Sequence, residues 1–311
     1  MSARTLDGAA LATQIKRELH DRVAAFTSAH SRPPGLGIVL VGEDPSSEIY
    51  VRNKLKSAGE TGLRADVRRL PATAALDEVL AVVAALNASP DHDGILVQSP
   101  LPAALGRDAE QVVFDTVDPL KDVDGFHPDN VGRLVQKRPR LVACTPLGVI
   151  ALLERSGVTI DGANAVVVGR SEIVGKPVSL LLMHRNATVT ICHSRTRDLP
   201  AVCARADILV AAIGRAAFIT AEFVKPGAVV VDVGINRVTD AALVARLYPE
   251  GSPRRAEFER RGALVVGDVH PEVWNVAGAM SPVPGGIGPL TIALLLSNTL
   301  KAAEARCSRS R

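Results

Sequence analysis

Aromatic residues are scarce: one Trp, two Tyr and six Phe amount to 3% of 311 residues. The core must therefore be aliphatic, and the ring platforms on which single-stranded nucleic acids stack are excluded. Cysteine is almost as rare. Cys144, Cys192, Cys203 and Cys307 stand far apart, with neither the paired spacing of a zinc site nor the density of a disulfide framework. No metal site is expected, and a reducing cytoplasm is the expected location. Charge of one sign is also lacking. The 36 basic and 33 acidic residues leave a formal charge of +3, too balanced for a chain whose main partner is a polyanion. No apolar run reaches the roughly 18 residues that span a bilayer. The N-terminal segment has no continuous apolar core behind a basic start, which argues against a secretory signal. Neither nucleic acid nor a membrane is expected as a partner.

What the chain does contain is 47% apolar and 22% charged residues, ordinary usage that excludes disorder, in a length that suits two domains. Strand-sized apolar runs alternate with amphipathic segments almost throughout, the pattern of a parallel α/β fold. The first half predicts helices over 9–29 and 74–88, strands over 36–41, 64–70 and 94–98, and a helix from Ser46, as N-cap, to about Gly62. A second unit starts near Thr145-Pro146, where a capping Thr precedes Pro at the first helical position. Its strands are expected at 163–168, 188–192, 207–211, 228–233 and 263–266, and a last helix at about 289–306. The charged stretch 239–261 reads as an irregular surface excursion, Asp91-His92-Asp93 as an exposed turn, and 306–311 as a frayed basic tail.

Several short stretches can carry chemistry. The apolar strand ending in Val168 runs into Gly169-Arg170-Ser171 and reaches Gly175 before a helix. Such a bare turn lets backbone N–H groups approach a pyrophosphate at a helix N-terminus, although a ligand-free strand–helix turn has the same composition. The next strand ends in His193-Ser194-Arg195-Thr196-Arg197, without the acid that takes the ribose hydroxyls in NAD binders. Hydroxyls and guanidinium groups suit a 2′-phosphate, so the cofactor expected is NADP; the alternative is a solvated basic loop. Val231-Asp232-Val233-Gly234-Ile235-Asn236 ends another strand, at the edge where ligands bind in parallel sheets; a ligand there would bring Ile235 near a nicotinamide, and the alternative is a plain strand-ending turn. In the first half, Tyr50 and Lys54 share a helix face, and Gln98 ends an apolar strand. Lys121-Asp122-Val123-Asp124-Gly125-Phe126 carries two acids in a turn, with too few oxygens for calcium and too few nitrogen or sulfur ligands for zinc. Three glycines in 281–289 give a loop whose main chain a ligand can touch. Each signal alone is weak.

In conjunction they are specific. Tyr50-Val-Arg-Asn-Lys54, Gly94-Ile-Leu-Val97-Gln98 with Pro100-Leu-Pro102, Lys121-Asp-Val-Asp124-Gly-Phe126, Gly169-Arg170-Ser171 with Ile173-Val-Gly175-Lys-Pro177, Gly234-Ile235-Asn236 and Pro282-Val-Pro284-Gly285-Gly286-Ile287-Gly288-Pro289 occur in one order over most of the chain. In this the sequence resembles the bifunctional methylenetetrahydrofolate dehydrogenase/cyclohydrolase family. The resemblance implies two α/β domains flanking a cleft, the second a Rossmann-like dinucleotide-binding domain with a parallel sheet. Residues 1–144 would form the catalytic, folate-binding domain, with 285–311 returning to it, and 145–284 the NADP-binding domain. The implied activity oxidises 5,10-methylenetetrahydrofolate to 5,10-methenyltetrahydrofolate with NADP and then hydrolyses it to 10-formyltetrahydrofolate. The partners implied are tetrahydrofolate derivatives and a second copy of the chain, family members being homodimers. Lys54 would be the main catalytic group, Gln98 would set its protonation, Asp124 would hold the pterin donors and Tyr50 would pack on the folate ring. Val97, Pro284, Gly285, Gly286, Ile287 and Gly288 would line the folate; Gly169, Arg170, Ser171, Ser194, Arg195 and Ile235 would contact NADP. Ser99 departs from the leucine often found there, and 239–261 is longer than in many relatives. The alternatives are an NAD-preferring or monofunctional dehydrogenase of this fold, and a non-catalytic folate- or nucleotide-binding protein.

Overall fold

The computed structural model describes residues 2–309. Its strands are β1 (Arg4–Thr5), β2 (Gly35–Val41), β3 (Arg64–Leu70), β4 (Gly94–Val97), β5 (Asn164–Val168), β6 (Thr188–Cys192), β7 (Ile208–Ala211), β8 (Val229–Asp232), β9 (Asn236–Val238), β10 (Leu264–Val266) and β11 (Ala279–Met280). The chain divides into two compact units, one of residues 1–11 with 145–290 and the other of 12–144 with 291–311.

In the second of these, β3-β2-β4 form a parallel three-stranded sheet. Every residue of β2, Gly-Leu-Gly-Ile-Val-Leu-Val, is buried, as a parallel strand covered on both faces must be. Side chains alternate along it. Leu36, Ile38 and Leu40 enter a core with Leu19, Val23 and Phe26 of helix Gly8–His30 and with Leu295, Leu296 and Leu300 of helix Ile287–Arg309. Val39 and Val41 enter another, with Val79 and Val83 of helix Leu76–Ala88. Helix Pro45–Glu60 follows β2. Its N-cap is Asp44, which accepts from the Ser47 amide at 2.7 Å, with Pro45 in the first turn. The expected cap, Ser46, lies inside the helix instead.

The other unit holds a parallel six-stranded sheet of order β1-β11-β8-β7-β5-β6. Residues 1–11, expected with the first domain, belong here because β1 pairs with β11, Arg4 opposite Ala279. Residues 285–290, expected to return to the folate half, also stay in this unit. A two-residue strand has no periodicity to read, which is why β1 and β11 escape the sequence.

The stretch 239–261 is ordered rather than irregular. Helices Ala241–Leu247 and Pro253–Arg261 are bracketed by the antiparallel pair β9–β10, and Val244, Leu247, Val238, Leu264 and Val266 close a small core of their own. The basic tail is helical to Arg309, and Arg306 bonds Asp93 at 2.8 Å; Ser310 and Arg311 lie outside the described residues. Asp93 is no exposed turn. It is fully buried, taking Arg32 at 2.7 Å, Arg306 and the Gly35 amide at 2.9 Å. No helix among the described residues is long and apolar enough to cross a membrane.

Candidate active site and dinucleotide turn

Lys54 sits in the third turn of helix Pro45–Glu60, and Gln98 directly follows β4. Adjacent β2 and β4 run parallel, so the helix after one and the residue after the other meet at the same carboxyl edge. Lys54 Nζ donates to Gln98 Oε1 at 2.9 Å. The orientation of that amide is fixed from its other end: Gln98 Nε2 donates to the Ser99 carbonyl at 2.7 Å. The Lys121–Asp124 segment runs alongside β4, with Asp122 in parallel register with Ile95 and the Ile95 amide donating to Lys121 O at 2.7 Å. Two residues further along both segments come Val97 and Asp124.

Burial sets the electrostatics of this cluster. It lowers the Lys54 ammonium below the ordinary lysine range, against the opposing charge of Asp124. It lifts the Asp124 carboxyl to about 6, opposed by Lys54 and reinforced by Asp122. Burial thus draws the amine and the carboxyl toward neutrality from opposite sides, the direction that general acid–base work requires. Tyr50, one turn before Lys54, is partly exposed at 37% and makes no hydrogen bond among the described residues, leaving its ring free to pack on a flat ligand.

The other acid of the turn has a different job. Asp122 Oδ2 accepts from the His127 amide and from Asn130 Nδ2, both at 2.9 Å. Lys121 Nζ caps the end of helix Leu76–Ala88 through Leu86 O, Asn87 O and Ser89 O at 3.0, 2.7 and 2.7 Å. Sequence reasoning missed Cys144, whose buried thiol donates to Val123 O at 3.3 Å and feels the charges of Asp124 and Lys54. A lone cysteine in a helix start gives no signal of that placement. No group of three or more metal-ligating side chains occurs among the described residues.

In the unit containing β5, the turn Gly169-Arg170-Ser171 connects that strand to helix Gly175–Met183. Gly169 has φ +131°, and a Cβ there would lie 2.1 Å from Ala212 O; one on Gly175 would lie 2.2 Å from Gly169 O. Both positions are closed to any side chain, which leaves main chain bare at the turn. Ser171 Oγ accepts from the Val174 and Gly175 amides at 3.2 and 3.3 Å. The neighbouring strand β6 delivers Ser194 and Arg195 beside it. Arg170 and Arg195 are exposed, and their guanidinium groups have no hydrogen bond or ion pair among the described residues. Free cations beside a bare helix-terminal turn fit a dinucleotide carrying an extra phosphate.

The Gly234-Ile235-Asn236 turn is built by two buried acids the sequence reading did not single out. Asp268 accepts from the Ile213, Gly214 and Arg215 amides at 2.6, 2.9 and 2.9 Å and from Asn236 Nδ2 at 2.9 Å. Asp232 accepts from the Gly234, Asp268 and Val269 amides at 2.9, 2.9 and 3.0 Å. They interlock through glycines: a Cβ on Gly234 would strike Asp268, and one on Gly267 would strike Asp232. Ile235 is left 50% exposed at the turn's tip. The 284–288 loop lies beside it, Gly288 facing Ile235 Cδ1 and the Gly285 carbonyl taking the Ala9 amide at 2.8 Å.

Two family models match this chain: the catalytic domain of tetrahydrofolate dehydrogenase/cyclohydrolase over residues 6–124, and the NAD(P)-binding domain of the same enzyme over 143–307. The chain belongs to the tetrahydrofolate dehydrogenase/cyclohydrolase family. Among its relatives is a bifunctional protein FolD of Solibacter usitatus, 55% identical with 97% of this chain and 98% of the relative covered. Another, from Koribacter versatilis, is 54% identical with 98% of both chains covered. Among solved family structures, the Trypanosoma brucei methylenetetrahydrofolate dehydrogenase-cyclohydrolase, complexed with NADP cofactor and an inhibitor, matches with a TM-score of 0.87 at 36% identity and 99% coverage of each chain. The Campylobacter jejuni enzyme matches at 0.85 and 37%, over 98% of this chain and all of that one.

Proposed function

We propose that this protein is a bifunctional one-carbon folate enzyme that oxidises 5,10-methylenetetrahydrofolate with NADP and hydrolyses the resulting methenyl compound to 10-formyltetrahydrofolate. The single observation that carries the reading is the Lys54–Gln98 bond beside Asp124, in a chain whose length the family models nearly span. A binding module has no use for a buried lysine bonded to an amide and within the electrostatic reach of a buried carboxyl.

NADP, when bound, supplies the hydride acceptor. The chain supplies everything else. The bare Gly169 turn and the helix that follows receive the pyrophosphate, while Arg170, Ser194 and Arg195 take the 2′-phosphate. Ile235 packs on the nicotinamide. Tyr50 packs on the folate ring, Asp124 accepts from the pterin donors, and Val97 with Pro284, Gly285, Gly286, Ile287 and Gly288 lines the folate. Lys54, its ammonium destabilised by burial, moves the proton in the hydrolytic step; arginine could not be deprotonated there. Gln98 Oε1 steadies the protonated form. The active protein is a homodimer working in the cytoplasm, independent of membrane or nucleic acid.

The test is direct. Purified protein should reduce NADP with methylenetetrahydrofolate and hydrolyse methenyltetrahydrofolate; absence of both at saturating ligand overturns the assignment. A clear preference for NAD over NADP would favour the NAD-preferring alternative, and sedimentation as a monomer would remove the dimer.

A further inference from the structure

The hydroxyl of Ser99, the residue after Gln98, has a partner in the structure. Ser99 Oγ donates to Glu110 Oε1, in helix Ala109–Thr116, and the same oxygen accepts from the Leu101 amide at 2.9 Å. One carboxylate therefore pins both ends of the Ser99-Pro100-Leu101 bend. The carbonyl of that bend, Ser99 O, is what receives Gln98 Nε2 at 2.7 Å and so turns Gln98 Oε1 toward Lys54.

We infer that Glu110 is a positioning residue for hydrolysis: by holding the Ser99–Leu101 bend it keeps the Gln98 oxygen, rather than its NH2 group, facing the Lys54 amine. The inference rests on the proposed roles of Lys54 and Gln98 and deepens them. If the bend loosens, the amide of Gln98 can rotate and present a donor to the ammonium. An acceptor stabilises the charged lysine and a donor destabilises it. Glu110 acts through its hydrogen bonds and not through its charge. The carboxylate whose charge acts on Lys54 is Asp124, with Asp122 acting on Asp124. Its own neighbours are the Ser99 hydroxyl and the Leu101 amide. This separates two variants that a bulk electrostatic effect would not. Glu110→Gln keeps an acceptor oxygen and loses the charge, whereas Glu110→Ala loses both.

The experiment is the pH profile of methenyltetrahydrofolate hydrolysis by the full-length protein, read on the limb that a Lys54→Met variant abolishes. Glu110→Ala should move that limb to lower pH by about half a unit to one unit, the effect of one neutral hydrogen bond on a titrating group, and should lower kcat more than it raises KM. Glu110→Gln should restore the wild-type limb. Ser99→Ala, which removes one of the two bonds, should move it the same way by less, and carries the test if Glu110→Ala does not fold. Superimposable profiles for wild type and Ser99→Ala or Glu110→Ala overturn the inference while leaving Lys54 in its role. A shift in Glu110→Gln equal to that in Glu110→Ala overturns it as well, because charge would then be the cause. Hydrolysis that survives Lys54→Met unchanged removes the reading on which the inference stands.

Discussion

At the scale of single residues, the chain holds side chains in states they resist, and the cost is visible in their protonation. Lys54→Met keeps the length and apolar stem of lysine and removes the proton carrier. Hydrolysis should fall by about 10²–10⁴-fold, with folate binding and the thermal midpoint near wild type; retention of more than a tenth of the rate would contradict the assigned role. Asp124 gives a sharper test because its two effects have opposite signs. Its folded-state value of about 6 lies above the ordinary aspartate value of 3.8. Ionisation therefore costs the folded state, and the stability the neutral acid confers is lost as pH rises through 6. Asp124→Asn should be more stable than wild type at pH 8 by about 1–2 kcal/mol, a figure reduced for the partial exposure of the group. The same variant should bind folate more weakly. In wild type the folate KM should rise as pH falls below about 6, where the carboxylate that accepts from the pterin is protonated; in Asp124→Asn that rise should vanish. Equilibrium unfolding at pH 5 and 8 and KM over the same range check both halves.

Elements rather than residues decide how the dinucleotide turn is held. Gly169 is closed on one side by Ala212 O and has a φ of +131°, so Gly169→Ala combines a backbone clash with a conformation that side chains avoid. It should destabilise the protein by about 2–4 kcal/mol and raise the NADP KM at least tenfold, measured by chemical denaturation and initial rates. Asp268 ties the ends of β7 and β10 to Asn236, the first residue of β9, through four donors. Asp268→Ala would orphan all four in a buried setting. It should cost about 3–5 kcal/mol, the range for breaking a buried charged network, and should loosen the Ile235 turn. A normal NADP KM in a folded Asp268→Ala protein would show that the clamp serves stability alone. These acids close or follow strands in Val-Asp-Val and Gly-Asp-Val, where an acid after an apolar run is visible in sequence. What is invisible is that donors from two separate segments converge on each one, 213–215 and Asn236 on Asp268, Gly234 and 268–269 on Asp232.

For the molecule as a whole, the cofactor is the property that depends on charges placed by separate strands. Arg170 follows β5, and Ser194 and Arg195 follow β6. Arg195→Ala should cut NADP preference over NAD by about tenfold, one charge-assisted contact, and leave NAD turnover near its starting value; parallel kinetics with both dinucleotides check it. Period-2 and apolar-run patterns made most strands legible, because burial on both faces of a parallel strand leaves a continuous signature such as Gly-Leu-Gly-Ile-Val-Leu-Val. They failed for β1, β9 and β11, which are two or three residues long and exist through the partners they pair with. They failed again for 239–261, where two helices and a β pair share one small core that no local window contains. Sequence by itself determined the class of fold and the motifs, since residue type and spacing fix what elements and turns are available, and it was the family resemblance carried by those motifs that picked out Lys54, Gln98 and Asp124. Tertiary structure alone decided that Gln98 offers Lys54 its oxygen, that Asp122 is structural while Asp124 is drawn toward neutrality, and that residues 1–11 belong with the dinucleotide sheet. Hydrogen-bond direction, desolvation and strand pairing are properties of neighbours brought together across tens to hundreds of residues, and spacing along the chain does not encode them.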